Sequence, residues 1–270
     1  MEDSNGFNII PKAVDAAIQG VTDPPAKEIG KTFEDLIYLA TGPIHFAADK
    51  RRARYEAGLE EFKKGLTQKV QDIPPENLVA PKLQVIGPAL EDAKYCLESE
   101  SIRDMFENLL AKAADSRYQS QIHPSFSQII KQMSPLDAEN LKYIKPNTHI
   151  PVAEYRLISA TPGNFIVVQT NVFLANPNAG DNLPQQALSL AALQQLGLIS
   201  IRYDEWINND SLYFDFKNTS LYLQFKEGTN LIQTLAPGQI NSNTLSKIGM
   251  QKGVVKLTPI GEAFYQVCLA

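Results

Sequence analysis

Between Ser101 and Ile144 the apolar residues recur at helical spacing in three successive stretches. Ile102, Met105, Phe106, Leu109, Leu110 and Ala113 form one stripe, at offsets of 0, 3, 4, 7, 8 and 11, which is the core-facing pattern of an amphipathic helix. Ser101, with Asp104 three residues on, is a start signal of the capping-box type. Phe126, Ile129, Ile130 and Met133 repeat the spacing behind His123-Pro124, where proline suits the first helical position. Ser134-Pro135-Leu136-Asp137 opens a third helix whose stripe is Leu141 and Ile144. Short links between such helices predict antiparallel neighbours in a bundle. Phe106, Leu109, Leu110, Phe126 and Ile130 are expected to meet in one core.

Upstream, residues 1–25 read as a leader ending in Pro24-Pro25. A helical region follows, broken near Gly42-Pro43 and resuming from Lys50 to Val70 with mixed charge. Asp72-Ile73-Pro74-Pro75 ends it, because proline cannot continue the hydrogen-bond ladder. Pro81 and Pro88 are expected to bracket a short extended or turn segment, with a helix from about Ala89 to Leu97.

Beyond Pro146 lysine and glutamate thin out, while Asn, Thr, Pro and aromatic residues rise. Phe165–Phe173 is a strand candidate, bounded by Pro162-Gly163 and Asn176-Pro177. A helix is expected over Pro184–Leu196 with Gly197 at its C′ position, then strands at 198–201, 212–216, 221–225 and 253–257, and a last helix from Thr258-Pro259. The pattern predicts an α+β protein: an N-terminal helical bundle and a smaller C-terminal α+β, winged-helix-like domain. The expected divisions are 1–25, 26–146 and 147–270.

Composition adds mainly exclusions. The 270 residues are 44% hydrophobic and 20% charged, an ordinary globular balance. The formal net charge of −5 draws the chain to neither nucleic acid nor anionic lipid as a whole. Cys96 and Cys268 fit no metal or redox spacing and read as buried reduced thiols suited to a reducing cytoplasm. The acidic start MEDSNGFNIIPK lacks the pattern of a signal peptide. Ile29–Ala48 contains Lys31, Glu34 and Asp35 and is not a membrane span. Lys50, Arg51, Arg52 and Arg54 follow it, and a basic cluster beside an apolar helix is one way to hold an anionic lipid surface. A partly buried helix running into a solvated one is the simpler account.

Several linked motifs stand in order through the first half. They are Pro74-Pro75-Glu76-Asn77, Pro81-Lys82-Leu83, Gly87-Pro88-Ala89-Leu90-Glu91, the run Arg103–Ala111, Asp115, His123-Pro124-Ser125-Phe126 and the run Ile129–Ala138. With them the chain, from roughly Pro25 to Ile144, resembles the Abi-alpha family of bacterial proteins grouped with abortive infection, that is, phage exclusion. The resemblance implies a defence association and no mechanism.

Arg103, Asp115 and His123 are the polar residues that match the family pattern. They could converge as an acid–base or binding cluster. The simpler account makes them scaffold: Arg103 paired with Glu107, Asp115 bonded to the following turn, and His123 capping its helix or touching Asp115. His45 and His149 have no Cys or His beside them, so no metal is expected, and no cofactor and no catalytic residue is assigned. The helix 184–196 carries no Lys or Arg, which argues against DNA reading, since phosphate contacts need cations. The expectation is a non-enzymatic, cytoplasmic, defence-associated protein that works through a protein partner, with homo-oligomers compatible. The alternatives are a peripheral membrane effector using residues 29–54 at the inner membrane, a winged-helix DNA-binding regulator, and an enzyme of unknown class, which the missing catalytic constellation disfavours.

Overall fold

The computed structural model describes residues 49–159, 161–180, 182–235 and 245–270. The expected leader, the break at Gly42-Pro43, His45 and the apolar segment 29–48 lie outside them. The chain divides into two compact units. One is residues 1–135 with 263–270, and the other is residues 136–262. The whole is mixed helix and strand, an α+β protein.

Among its described residues the first unit is helical. Helix α1 spans Asp49–Gln71 and buries Tyr55, Phe62, Leu66 and Val70, a stripe of period near four. The Asp72–Pro75 stop holds, and Pro75–Asn77 is a single 3-10 turn. Helix α2 spans Leu83–Ala93 with Pro88 inside it, which corrects the expected turn. Proline removes one backbone bond there. Burial of Val85, Ile86, Ala89, Leu90 and Ala93 on one face outweighs that loss, at about 1.5–3 kcal/mol for each large side chain.

Helix α3 spans Glu100–Ala113 and α4 spans Phe126–Gln132. The start of α3 is also a correction. Its N-cap is Ser99, without a side-chain cap, and Asp104 turns away to Lys69 of α1. Phe106, Leu109, Leu110, Phe126 and Ile130 are all fully buried, and α3 packs on α4. Phe126 also meets Phe264 edge-on at 5.2 Å between ring centroids, a favourable aromatic geometry.

The second unit is built on a four-stranded antiparallel sheet in the order β2-β1-β4-β3. Helix α5 spans Pro135–Tyr143. Strand β1 is Ile150–Ser159 and β2 is Phe165–Val172. Helix α6 is Leu183–Gln195, ended by Gly197 at φ 76°, as its place predicts. Strand β3 is Ile199–Arg202 and β4 is Leu245–Leu257, longer than expected.

The strands expected at 212–216 and 221–225 do not exist. Residues 210–213 and 215–218 are 3-10 turns, and helix α7 runs Ser220–Leu235. Leu221, Tyr222 and Phe225 pack together against Tyr155, Val172 and Ile248 of the sheet, a helical set, whereas the alternation expected of a strand was of Leu221, Leu223 and Phe225, and Leu223 is exposed. The last helix, α8, is Pro259–Cys268. Thr258 Oγ1 accepts from the Gly261 amide at 3.0 Å and donates to the Gly197 carbonyl at 2.5 Å, so one side chain starts α8 and ties down the end of α6.

Candidate functional site

The run Arg103–Ala111 that carried the family resemblance sends its polar side chains toward α1. Arg103, Asp104, Glu107 and Asn108 stand at i, i+1, i+4 and i+5, one side of a helix. Lys69 of α1 meets three of them. It pairs with Asp104, donates to Asn108 Oδ1 at 2.8 Å and lies 3.5 Å from Glu107. Asn108 in turn donates to the Cys268 carbonyl at 3.0 Å. Lys112 donates to the Gln266 and Ala270 carbonyls at 2.6 and 2.8 Å, a cation where the end of α8 presents unpaired carbonyls and the negative end of its dipole.

Two glycines let this seam close. A Cβ on Gly58 would stand 2.6 Å from the Leu97 carbonyl oxygen, and one on Gly65 would overlap the Glu107 carboxylate. Glu107 is only 6% exposed. Burial pushes its carboxyl up to about 7, against the opposing pull of Lys69. Burial is the larger effect and the nearby Asp104 carboxylate adds to it, so together they outweigh Lys69 at 3.5 Å and Arg103 at 3.8 Å. Lys112 is lowered by the same cause.

The three residues singled out from the sequence have separate partners. Arg103 donates to the Leu97 carbonyl at 2.9 Å and lies 3.8 Å from Glu107. Asp115 accepts from the Arg117 amide at 3.0 Å and from its guanidinium at 2.5 to 3.0 Å, which holds its carboxyl below the usual range despite burial. Its backbone bridges to Leu78, so the Pro74–Asn77 motif and Asp115 are joined. His123 Nδ1 stands 2.7 Å from Ser125 Oγ and accepts from the Ser125 amide at 3.2 Å.

Lys50, Arg51, Arg52 and Arg54 lie in the first turns of α1, and Arg54 is exposed. Cys268 is buried as expected, whereas Cys96 is only half-buried, in the turn after α2. His149 is exposed. No group of three His, Cys, Asp or Glu side chains suited to a metal occurs among the described residues. None of their helices is long and apolar enough to cross a membrane.

The second unit shows different chemistry. His149, Asp204, Glu205, Trp206, Ile207 and Val254 line an open cleft of about 580 Å³. Trp206, Leu212 and Phe214 are 54%, 44% and 67% exposed. Asp204 and Glu205 are held by Arg202, and Glu205 also lies 3.8 Å from Lys256. Sequence reading took the segment 212–216 for a strand and so missed this surface. Trp206, the single tryptophan, set in a polar run, is the signal that could have found it.

Fold and side chains together define an α+β protein with a paired charged seam in its helical unit and exposed aromatic residues in its sheet unit. The chain matches the family described as Abortive infection alpha over residues 54–268 and belongs to it. The match covers both units, where the sequence motifs pointed only to residues 25–144. No curated protein matches the chain. A solved structure of an uncharacterized protein from the hydrocarbon-degrading marine bacterium Alcanivorax borkumensis SK2 is similar at 13% identity, with a TM-score of 0.32, covering 57% of this chain and 96% of that one. A likeness that low carries no argument here.

Proposed function

We propose that this protein serves abortive infection without catalysing a reaction, by contacts between its surface and another protein chain. Membership of the family supports the association with abortive infection. The observation that carries the contact reading is the exposure of Trp206, Leu212 and Phe214 within nine residues of chain. Large apolar side chains gathered on a surface mark interaction sites, and aromatic residues dominate such contacts. The polar motif of α3, by contrast, is occupied with its own neighbours, so a substrate would have to displace them.

The test is phage plating in cells that express each variant at matched soluble level. Phe214→Asp and Trp206→Ala are expected to lose protection while staying folded. Arg103→Ala, Asp115→Ala and His123→Ala are expected to lose protection only as far as folded protein is lost. A fully folded, abundant Arg103→Ala that gives no protection would overturn this reading and mark a chemical site.

A further inference from the structure

The two edges of the sheet differ in a way that bears on assembly. Edge strand β3 is four residues long. It is guarded by charge, since Arg202 pairs with Asp204 and Glu205, and Lys256 of the neighbouring β4 reaches Glu205 at 3.8 Å. Short, charged edges resist pairing with other chains.

Edge strand β2 is eight residues long and reads FIVVQTNV, with no charge and no proline. Phe165, Ile166 and Val167 are 45%, 55% and 43% exposed. Consecutive strand residues point to opposite faces, so both faces of this half of the edge are open. Arg156 guards it only in part. It lies over the Phe165 ring at 4.2 Å from the centroid, and Glu154 and Gln251 hold its guanidinium there.

The far half of β2 is closed to pairing. The β1–β2 register shifts beside Tyr155, and Asn171 adopts φ 50°. The Tyr203 hydroxyl accepts from the Asn171 amide at 2.9 Å. Its ring crosses β4 at Gly253, where a Cβ would stand 2.6 Å from a ring carbon. The pairing edge is therefore Phe165–Val168.

We infer that Phe165–Val168 is where a second copy of this chain adds, antiparallel, to make one continuous sheet through two molecules. This goes beyond the contact reading above, which rests on Trp206, Leu212 and Phe214, and adds a second, separate surface. The argument for a second copy is charge. In a two-fold antiparallel pair the residue on the axis faces its own copy and its neighbours stand close to theirs, so a charge near the axis would confront its like. Asn164–Phe173 carries none, and Ile166, Val167 and Val168 are the β-branched residues that pair best across strands. Four residues of strand, roughly 13 Å at ~3.3 Å each, make a small interface. Association is accordingly weak and concentration-driven, in the class of transient contacts.

Sedimentation velocity of the full chain over a concentration series tests this. The wild type is expected to shift from monomer to dimer, and hydrogen exchange at 165–168 to slow with it. Ile166→Lys and Val167→Lys should weaken dimerisation by at least about tenfold, with circular dichroism and melting temperature unchanged. Phe214→Lys, at a more exposed residue off the edge, should leave it alone. Val167→Cys, in a Cys96→Ser background, should oxidise to a disulfide-linked dimer. A wild type that stays monomeric at the highest soluble concentration overturns the inference, as does a dimer indifferent to Ile166→Lys. A monomer that still protects cells and loses protection with Phe214→Asp would sink the inference alone and leave the contact reading standing.

Discussion

The helical unit pairs its charge between helices, and the sheet unit shows apolar surface. In the first, Lys69, Asp104, Glu107, Asn108 and Lys112 are drawn between helices and bonded to one another or to carbonyls. In the second, Phe165, Ile166, Trp206 and Phe214 stand 45% exposed or more. Each is the costly arrangement for its residue type. Buried charge loses hydration, and exposed apolar surface forgoes burial. The first cost is met inside the unit by mutual pairing. The second is met by nothing among the described residues of its own unit, and this is why the proposed contact is placed on the sheet unit.

The comparison breaks most readily at the core beneath the seam. Phe106 has no exposed surface, and Phe106→Ala is expected to cost about 3–5 kcal/mol, the range for a large aromatic cavity. Chemical denaturation measures it. A cost under about 1 kcal/mol would mean that α3 does not seal the helical unit.

Glu107 makes the next largest effect, and its sign depends on pH. Its folded value of about 7 lies above the ordinary 4.5, so the folded state binds the proton more tightly. Its contribution is most favourable below about 4.5, declines as pH rises to about 7, and is flat above, a span of roughly 3 kcal/mol. Glu107→Gln mimics the neutral form. It should stabilise the protein by about 1–3 kcal/mol at pH 8 and do little at pH 4. Asp115, held low by Arg117, works in the opposite sense, its stabilisation fading as pH falls through its folded value. Glu107→Gln that destabilises at pH 8 would show that the Lys69 and Arg103 charges outweigh burial.

Gly58→Ala sharpens the packing side of the same seam. Alanine favours a helix by about 1 kcal/mol over glycine. A Cβ there would stand 2.6 Å from a backbone oxygen that Arg103 also uses, and overpacking of that kind costs about 1–3 kcal/mol. A net loss of about 1 kcal/mol is expected in thermal melts. A net gain would show that the link at Leu97 yields freely.

Helices with a wide apolar stripe were legible in the sequence, as were the proline starts at Pro135 and Pro259, the Gly197 cap and the β2 strand. The start expected at Pro124 was not, because α4 begins two residues later at Phe126 with Ser125 as its N-cap. What was not legible follows from ambiguity in short patterns. Leu221, Leu223 and Phe225 alternate, yet Tyr222 and Phe225 meet the sheet from a helix. Pro88 signalled a break, and burial around it overrode the signal. Strand β1, with its proline at 151 and charges at 154 and 156, carries no clean alternation. Of the seam, Arg103 was visible as a motif residue, and its approach to Glu107 was foreseen. The convergence on Lys69 was not, because that residue lies 35 positions from Asp104 and no local spacing connects them.

The smallest stability effects compare one residue from each unit. His123 is exposed and caps only the turn at Ser125, so His123→Ala should cost about 0.5–1 kcal/mol, a modest lost cap. Phe214 is 67% exposed, and Phe214→Ala should fall within about 0.5 kcal/mol of the wild type, as surface changes do. If exposure at Phe214 reflects a contact made only in the assembled state, the ordering reverses in cells. Phe214→Ala should then lower protection against phage more than His123→Ala does, although it leaves the fold less disturbed. Paired melting curves and plating assays on the two variants decide it. Equal protection from both would mean that Phe214 is solvent-facing in every state, and the contrast between the units would reduce to packing.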